Sequence, residues 1–215
     1  MNYKYILFDL DGTLINTLAD LSNSMNYGLK QLGQPVHSHE ECRKMIGSGV
    51  RKFAQQALPP TDQDLVDELL NLMRDHYRQN CTVDTVVYGG INELLAELDS
   101  ICVPMAVVTN KDEDVARAIV RHYFGDRYFK KVAGAKDGVA IKPDPAVTLA
   151  IAEELGFSAE ETLFVGDSDI DMLTGTACGM KTVGVSWGFR DSELLKQAGA
   201  DVVVDEPAEI VELLA

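Results

Sequence analysis

The first apolar run of the chain, residues 3–8 ("YKYILF"), has no strand to pair with nearby, because the stretch from Asn16 to about Cys81 reads as helix. Leu18, Leu21, Met25, Leu29 and Leu32 recur at helical spacing, and Gly33 with Pro35 ends that run. Ser38-His39-Glu40-Glu41 is a capping box that predicts a short second helix. "GSGVRKFAQQAL" is a glycine-punctuated loop leading into a third, and Leu65, Val66, Leu69, Leu70, Met73 and Tyr77 mark a fourth. After Thr82 the pattern alternates. "INELLAEL" and "DEDVARAIVRHYF" are helical, while "VPMAVVTN", "KKVAGA", "TLFVGD", "KTVGVS" and "ADVVVD" are short apolar strands. Such alternation implies a parallel sheet covered by helices on both faces. The lone first strand must join that sheet. The expected fold is therefore α/β: a doubly wound parallel sheet (residues 1–15 and 82–215) with a small α-helical cap, residues 16–81, inserted after the first strand.

Charge and composition narrow the partners. The chain has 215 residues, 46% of them hydrophobic, enough for a substantial core. Its net charge of −15 argues against a nucleic-acid backbone as partner. It also means that an anionic substrate needs a local cation. No apolar run is long enough to span a membrane, and the start lacks the features of a signal peptide. Cys42, Cys81, Cys102 and Cys178 are scattered without CxxC spacing, which fits reduced thiols in a cytoplasmic protein. The expected state is a monomer or homodimer.

Ligands of doubly wound sheets sit beyond the carboxyl ends of the strands. There the sequence puts Asp9 and Asp11 on the first strand, then Thr109, Asn110 and Lys111 after "AVV". Asp167, with Asp169 and Asp171 following, comes after "LFVG", and Lys142 stands just before Pro143 in "AIKPDPA". Asp9 and Asp11 flank a single residue at a strand end, so both point to one side and repel unless a cation or shared proton relieves them.

The four segments "DLDGTL", "VVTN", "IKPDPA" and "GDSDID", in this order, resemble the haloacid dehalogenase superfamily of phosphatases, with its Rossmann-like core. The resemblance covers essentially the whole chain. It implies that Asp9 attacks phosphorus, that Asp11 is the acid and base, and that Thr109 and Lys142 hold the phosphoryl oxygens. It also implies Mg²⁺ bound by Asp9, Asp167 and the Asp11 backbone carbonyl. The residue types suit these roles. Hard carboxylate oxygens fit Mg²⁺, a metal lets a carboxylate approach a phosphate dianion, and Gly12 lets backbone amides come close to it. Asn110 is expected to hydrogen-bond phosphate, Lys111 to be solvated, and Asp171 to support Asp167 from one helical turn on. Asp169 is read as a helix N-terminal charge.

Within the superfamily, "LADLSNSMNYGLKQLGQP", "MIGSGVRKFAQQAL" and "GVSWGF…AGADVVVDEPAEI" look like phosphoglycolate phosphatases, so a small phosphorylated metabolite is the expected substrate. Asn16 departs from that pattern, where many members carry aspartate, and a family inorganic pyrophosphatase shares the asparagine. A β-phosphoglucomutase-like isomerase is a further alternative. The cap loop at residues 47–52 is expected to set substrate choice, with Gly47, Ser48 and Gly49 presenting amides and Arg51 or Lys52 adding positive charge. "GTACGMKT" nearly matches a P-loop but links a helix to a strand, the reverse of the required order, and is rejected.

Overall fold

A computed structural model describes residues 3–214. Its centre is a six-stranded parallel sheet formed by β1 (Tyr5–Phe8), β4 (Met105–Asp112), β5 (Phe129–Ala135), β6 (Thr162–Gly166), β7 (Lys181–Val185) and β8 (Val202–Val204), in the order β5-β4-β1-β6-β7-β8. The lone first strand takes a central place, Leu7 lying between Ala106 of β4 and Phe164 of β6. Alternation along the strands divides the core. Ile6, Phe8, Val107 and Val165 face one apolar layer, and Leu7, Ala106, Val108 and Phe164 face the other. The first layer packs against α5 (Ile91–Ser100) and α6 (Glu113–Phe124), the second against α7 (Pro145–Leu155).

Four α-helices stand between β1 and α5: α1 (Leu18–Gln31), α2 (His39–Met45), α3 (Val50–Ala57) and α4 (Val66–Asn80). Each begins where the sequence signals it. Ser38 and Glu41 form the reciprocal capping box of α2, and Gly49, at φ +85°, precedes α3. One feature escaped the sequence. Ile15–Asn16 (β2) and Val86–Val87 (β3) pair antiparallel, so the segment bearing the helices leaves and rejoins the core through a small ribbon, and Asn16 lies in a strand. Two-residue strands give no periodicity to read. Among the described residues no helix is long and apolar enough to cross a membrane.

Candidate active site

Beyond Phe8 the chain turns sharply. The carbonyl of Leu10 accepts from the N–H groups of Thr13, Leu14 and Ile15, and Gly12 adopts φ +88°, open to glycine at little cost. A Cβ on Gly12 would lie 2.2 Å from Oδ2 of Asp167, so the turn and Asp167 can share this space only if residue 12 has no side chain. The turn leaves Asp9 buried at the sheet's carboxyl edge and brings Asp11 beside β4.

Asp9, Asp167 and Asp171 converge, each offering a carboxylate oxygen within 4.8 Å of the others. Lys142 Nζ lies 2.7 Å from Asp171 Oδ1, to which it donates, and 2.8 Å from Asp9 Oδ1. The second contact is an ion pair without hydrogen-bond alignment, so Asp9 Oδ1 is buried and accepts no hydrogen bond. Burial pushes the Asp9 carboxyl up to about 6, against the pull of Lys142. Burial, then Asp171 and Asp9, push Asp167 well above the usual carboxylate range, with the N–H of Phe189, 2.7 Å from Oδ2, acting the other way. Burial opposes the charge on Lys142, but Asp171 and Asp9 outweigh it and raise its proton affinity.

Asp11 is tethered separately. Lys111 Nζ donates to its two oxygens at 2.8 and 2.9 Å, Thr17 donates to Oδ1 at 2.8 Å, and the ammonium sits 4.6 Å above the Tyr77 ring. Four carboxylates (Asp9, Asp11, Asp167, Asp171) thus face two ammonium groups (Lys111, Lys142). An orphaned Asp9 oxygen among all-oxygen donors is the environment that a hard cation fits.

Other expected site residues fall in several places. Thr109 is buried on the pocket wall within β4, and its hydroxyl accepts from the N–H of Lys111 at 3.3 Å. Asn110 was expected to face phosphate, but its amide donates to the carbonyls of Gly47 and Lys142 and accepts from the N–H of Lys142. It ties the cap loop to the lysine loop. Lys111, expected in solvent, is buried on Asp11. Asp171, besides joining the carboxylate cluster, holds Lys142 and caps its own helix, α8 (Asp169–Ala177), through Ser168.

Gly47 and Gly49 line the pocket above Asp9, together with Val50, Phe53 and Tyr77. Ser48 and Arg51 border a neighbouring groove instead, where Arg51 pairs with Asp67, and Lys52 is exposed. Arg51 and Lys52 therefore stand outside the pocket lining. The guanidinium groups at the pocket are Arg74, bonded to Asp112 at 2.7 and 2.8 Å, and Arg190. Sequence reasoning missed both, as it missed Arg43 and Phe189. Their partners lie far along the chain, and nothing local marks them. Trp187 stands outside the pocket lining, its indole N–H donating to the carbonyl of Thr13.

Residues 6–185 match the family described as haloacid dehalogenase-like hydrolase. A phosphoglycolate phosphatase from Aquifex aeolicus is 33% identical over 98% of this chain and 96% of its own length. One from Pseudomonas savastanoi pv. phaseolicola is 30% identical over 97% of this chain and 78% of its own. The crystal structure of a predicted phosphoglycolate phosphatase from Haemophilus somnus covers 100% of this chain and 99% of that one, with a TM-score of 0.91 and 28% identity. With the four motifs gathered at the edge of one parallel sheet and a family match over most of its length, the chain belongs to the haloacid dehalogenase-like hydrolases.

Proposed function

We propose that this chain is a Mg²⁺-dependent phosphatase that hydrolyses a small phosphate monoester, 2-phosphoglycolate foremost, through a phosphoaspartate on Asp9. The observation that carries the reading is the buried cluster of Asp9, Asp167 and Asp171 around Lys142, with Asp11 tethered two residues beyond Asp9. Relatives that match nearly all of this chain and are named phosphoglycolate phosphatases support the substrate.

Asp9, Asp167 and the Asp11 backbone carbonyl would hold the ion. Mg²⁺ there supplies charge neutralisation between carboxylate and phosphate. Asp9 attacks phosphorus as the bond to the leaving oxygen breaks, and the Asp11 carboxyl protonates that oxygen. Asp11 then takes a proton from the water that attacks the phosphoaspartate. The P–O bond to Asp9 breaks, and inorganic phosphate and free Asp9 result. Lys142 and Thr109 balance charge on the phosphoryl oxygens. Asn16 is oriented locally, its side chain accepting from the N–H of Leu18 at the start of α1.

The test is phosphate release from 2-phosphoglycolate, pyrophosphate, β-glucose 1-phosphate and p-nitrophenyl phosphate, with and without EDTA. The expected result is metal-dependent release with the highest kcat/KM on 2-phosphoglycolate. Preference for pyrophosphate would overturn the substrate, formation of glucose 6-phosphate would indicate an isomerase, and full turnover after verified metal removal would overturn the mechanism.

A further inference from the structure

The peptide group joining Gly188 to Phe189 is bonded at both ends. Its N–H, that of Phe189, donates to Asp167 Oδ2 at 2.7 Å. Its carbonyl, that of Gly188, accepts from an Arg43 guanidinium nitrogen at 2.9 Å, while Arg43 Nε donates to the next carbonyl, of Phe189, at 2.8 Å. Arg43 belongs to α2, in the helical insertion, and Asp167 directly follows β6 of the sheet. A single amide thus stands between a guanidinium of one part and a carboxylate of the other.

The contact is reciprocated. Arg190, the next residue along, reaches back to the carbonyls of Arg43 at 2.7 Å, Ile46 at 2.6 Å and Lys44 at 3.3 Å. These lie in the last turn and cap of α2, where helical carbonyls lack partners and a cation is favoured. A seven-residue helix depends on such caps. The N-terminal cap of α2 is its own, and the C-terminal one comes from the core. The Gly188–Phe189 segment packs tightly against Asp167 and the Gly12 turn. A Cβ on Gly188 would meet Asp167 Cβ at 2.2 Å and the Gly12 carbonyl at 2.6 Å.

We infer that Arg43 and Arg190 are positioning residues that couple docking of α2 to the orientation of Asp167 through the Gly188–Phe189 peptide. The inference rests on the reading of Asp167 as a cation ligand. A guanidinium on the amide oxygen polarises the amide and strengthens its N–H as a donor, and groups that orient a ligating carboxylate govern metal affinity. When α2 departs, the Phe189 N–H loses its polarising partner, and Asp167 is held less firmly. By linkage, cation binding favours the docked helix to the same degree.

The probe is Mn²⁺, titrated into metal-free full-length protein and followed by electron paramagnetic resonance without substrate. Arg43→Gln should weaken Mn²⁺ binding by about tenfold, the lower end of what outer-sphere changes produce, and Arg190→Gln should weaken it in the same direction. Arg43→Lys, which keeps one donor, should recover part of the loss. Arg78→Ala removes an exposed tie to Asp114 and should leave binding as it is. Melting temperatures of all variants separate loss of fold from loss of coupling, and the Lys variant and Arg190→Gln serve if Arg43→Gln does not fold. Folded Arg43 variants binding Mn²⁺ as wild type does would overturn the coupling. So would an equal loss in Arg78→Ala, which would make the effect one of general cap docking. Absence of Mn²⁺ binding by the wild type would overturn the cation site and this inference with it.

Discussion

Asp9 ionises at a cost: one oxygen is buried without an aligned hydrogen bond, and Lys142, 2.8 Å from it, donates to Asp171. Asp9→Asn should therefore abolish phosphate release without harming the fold. In metal-free protein the variant should melt no lower than wild type. The sign with pH follows from the carboxyl's rise from 3.8 to about 6. Ionising Asp9 costs the folded state nothing below the lower value and its full amount above the upper one. The melting-temperature gap between variant and wild type should thus open as pH rises from 3.8 to about 6, stay constant above that and close below it, a dependence that thermal scans in EDTA can check. Asp11→Asn should slow turnover by about 10²–10⁴-fold, the usual size of general acid–base catalysis, and poor leaving groups should suffer more than p-nitrophenolate. Thiol reactivity offers a separate check. Cys102 is exposed, while Cys42, Cys81 and Cys178 are buried, and burial pushes the Cys178 thiol up to about 11. A native titration with a disulfide reagent should find one fast thiol.

Among the elements, the junction of α1 with the returning chain rests on Asp20. This buried carboxylate accepts from the N–H groups of Val83, Asp84 and Thr85 and from the Thr85 hydroxyl, at 2.7 to 3.1 Å. Asp20→Ala would strand several donors, each costing about 1–3 kcal/mol if left unsatisfied. Allowing for partial hydration, a destabilisation of about 3 kcal/mol is expected in urea unfolding. The sequence announced α1 and its apolar stripe, yet it gave no sign that Asp20 would fasten a segment more than sixty residues away. The same division runs through the molecule. The strands of the sheet, the capping box of α2 and the four motif segments were legible, because periodicity and short-range chemistry write them locally. The β2–β3 ribbon, the Lys111–Asp11 pair and the exchange between Arg43 and Arg190 were not, because each is fixed by residues brought together only in the fold. Arg51 and Lys52 looked suitable by charge and loop position, but a helix turns successive residues about its axis, and theirs point away from the pocket.

Over the whole molecule, a divalent ion that balances the excess negative charge should stabilise the native state. At a Mg²⁺ concentration about a hundred times its Kd, the gain is about 2.7 kcal/mol. For a chain of this size that corresponds to a rise in melting temperature of about 5–10 °C, reversed by EDTA and measurable by calorimetry. An unchanged melting temperature would count against ion binding to the native state. The ribbon joining the helical insertion to the sheet has a further consequence. Ile15 faces Val87 and Asn16 faces Val86, so the chain departs and returns across one pair of neighbouring strands. Whatever lies between them is, for the sheet, a parenthesis: the run from β1 to α5 continues from the spot where it was interrupted. A graft that swaps residues 18–85 for a helical insertion of another size should leave every strand of the sheet in register, and new leaving-group pockets can be tried on it provided that Thr17 on Asp11 and an arginine in the place of Arg43 are kept.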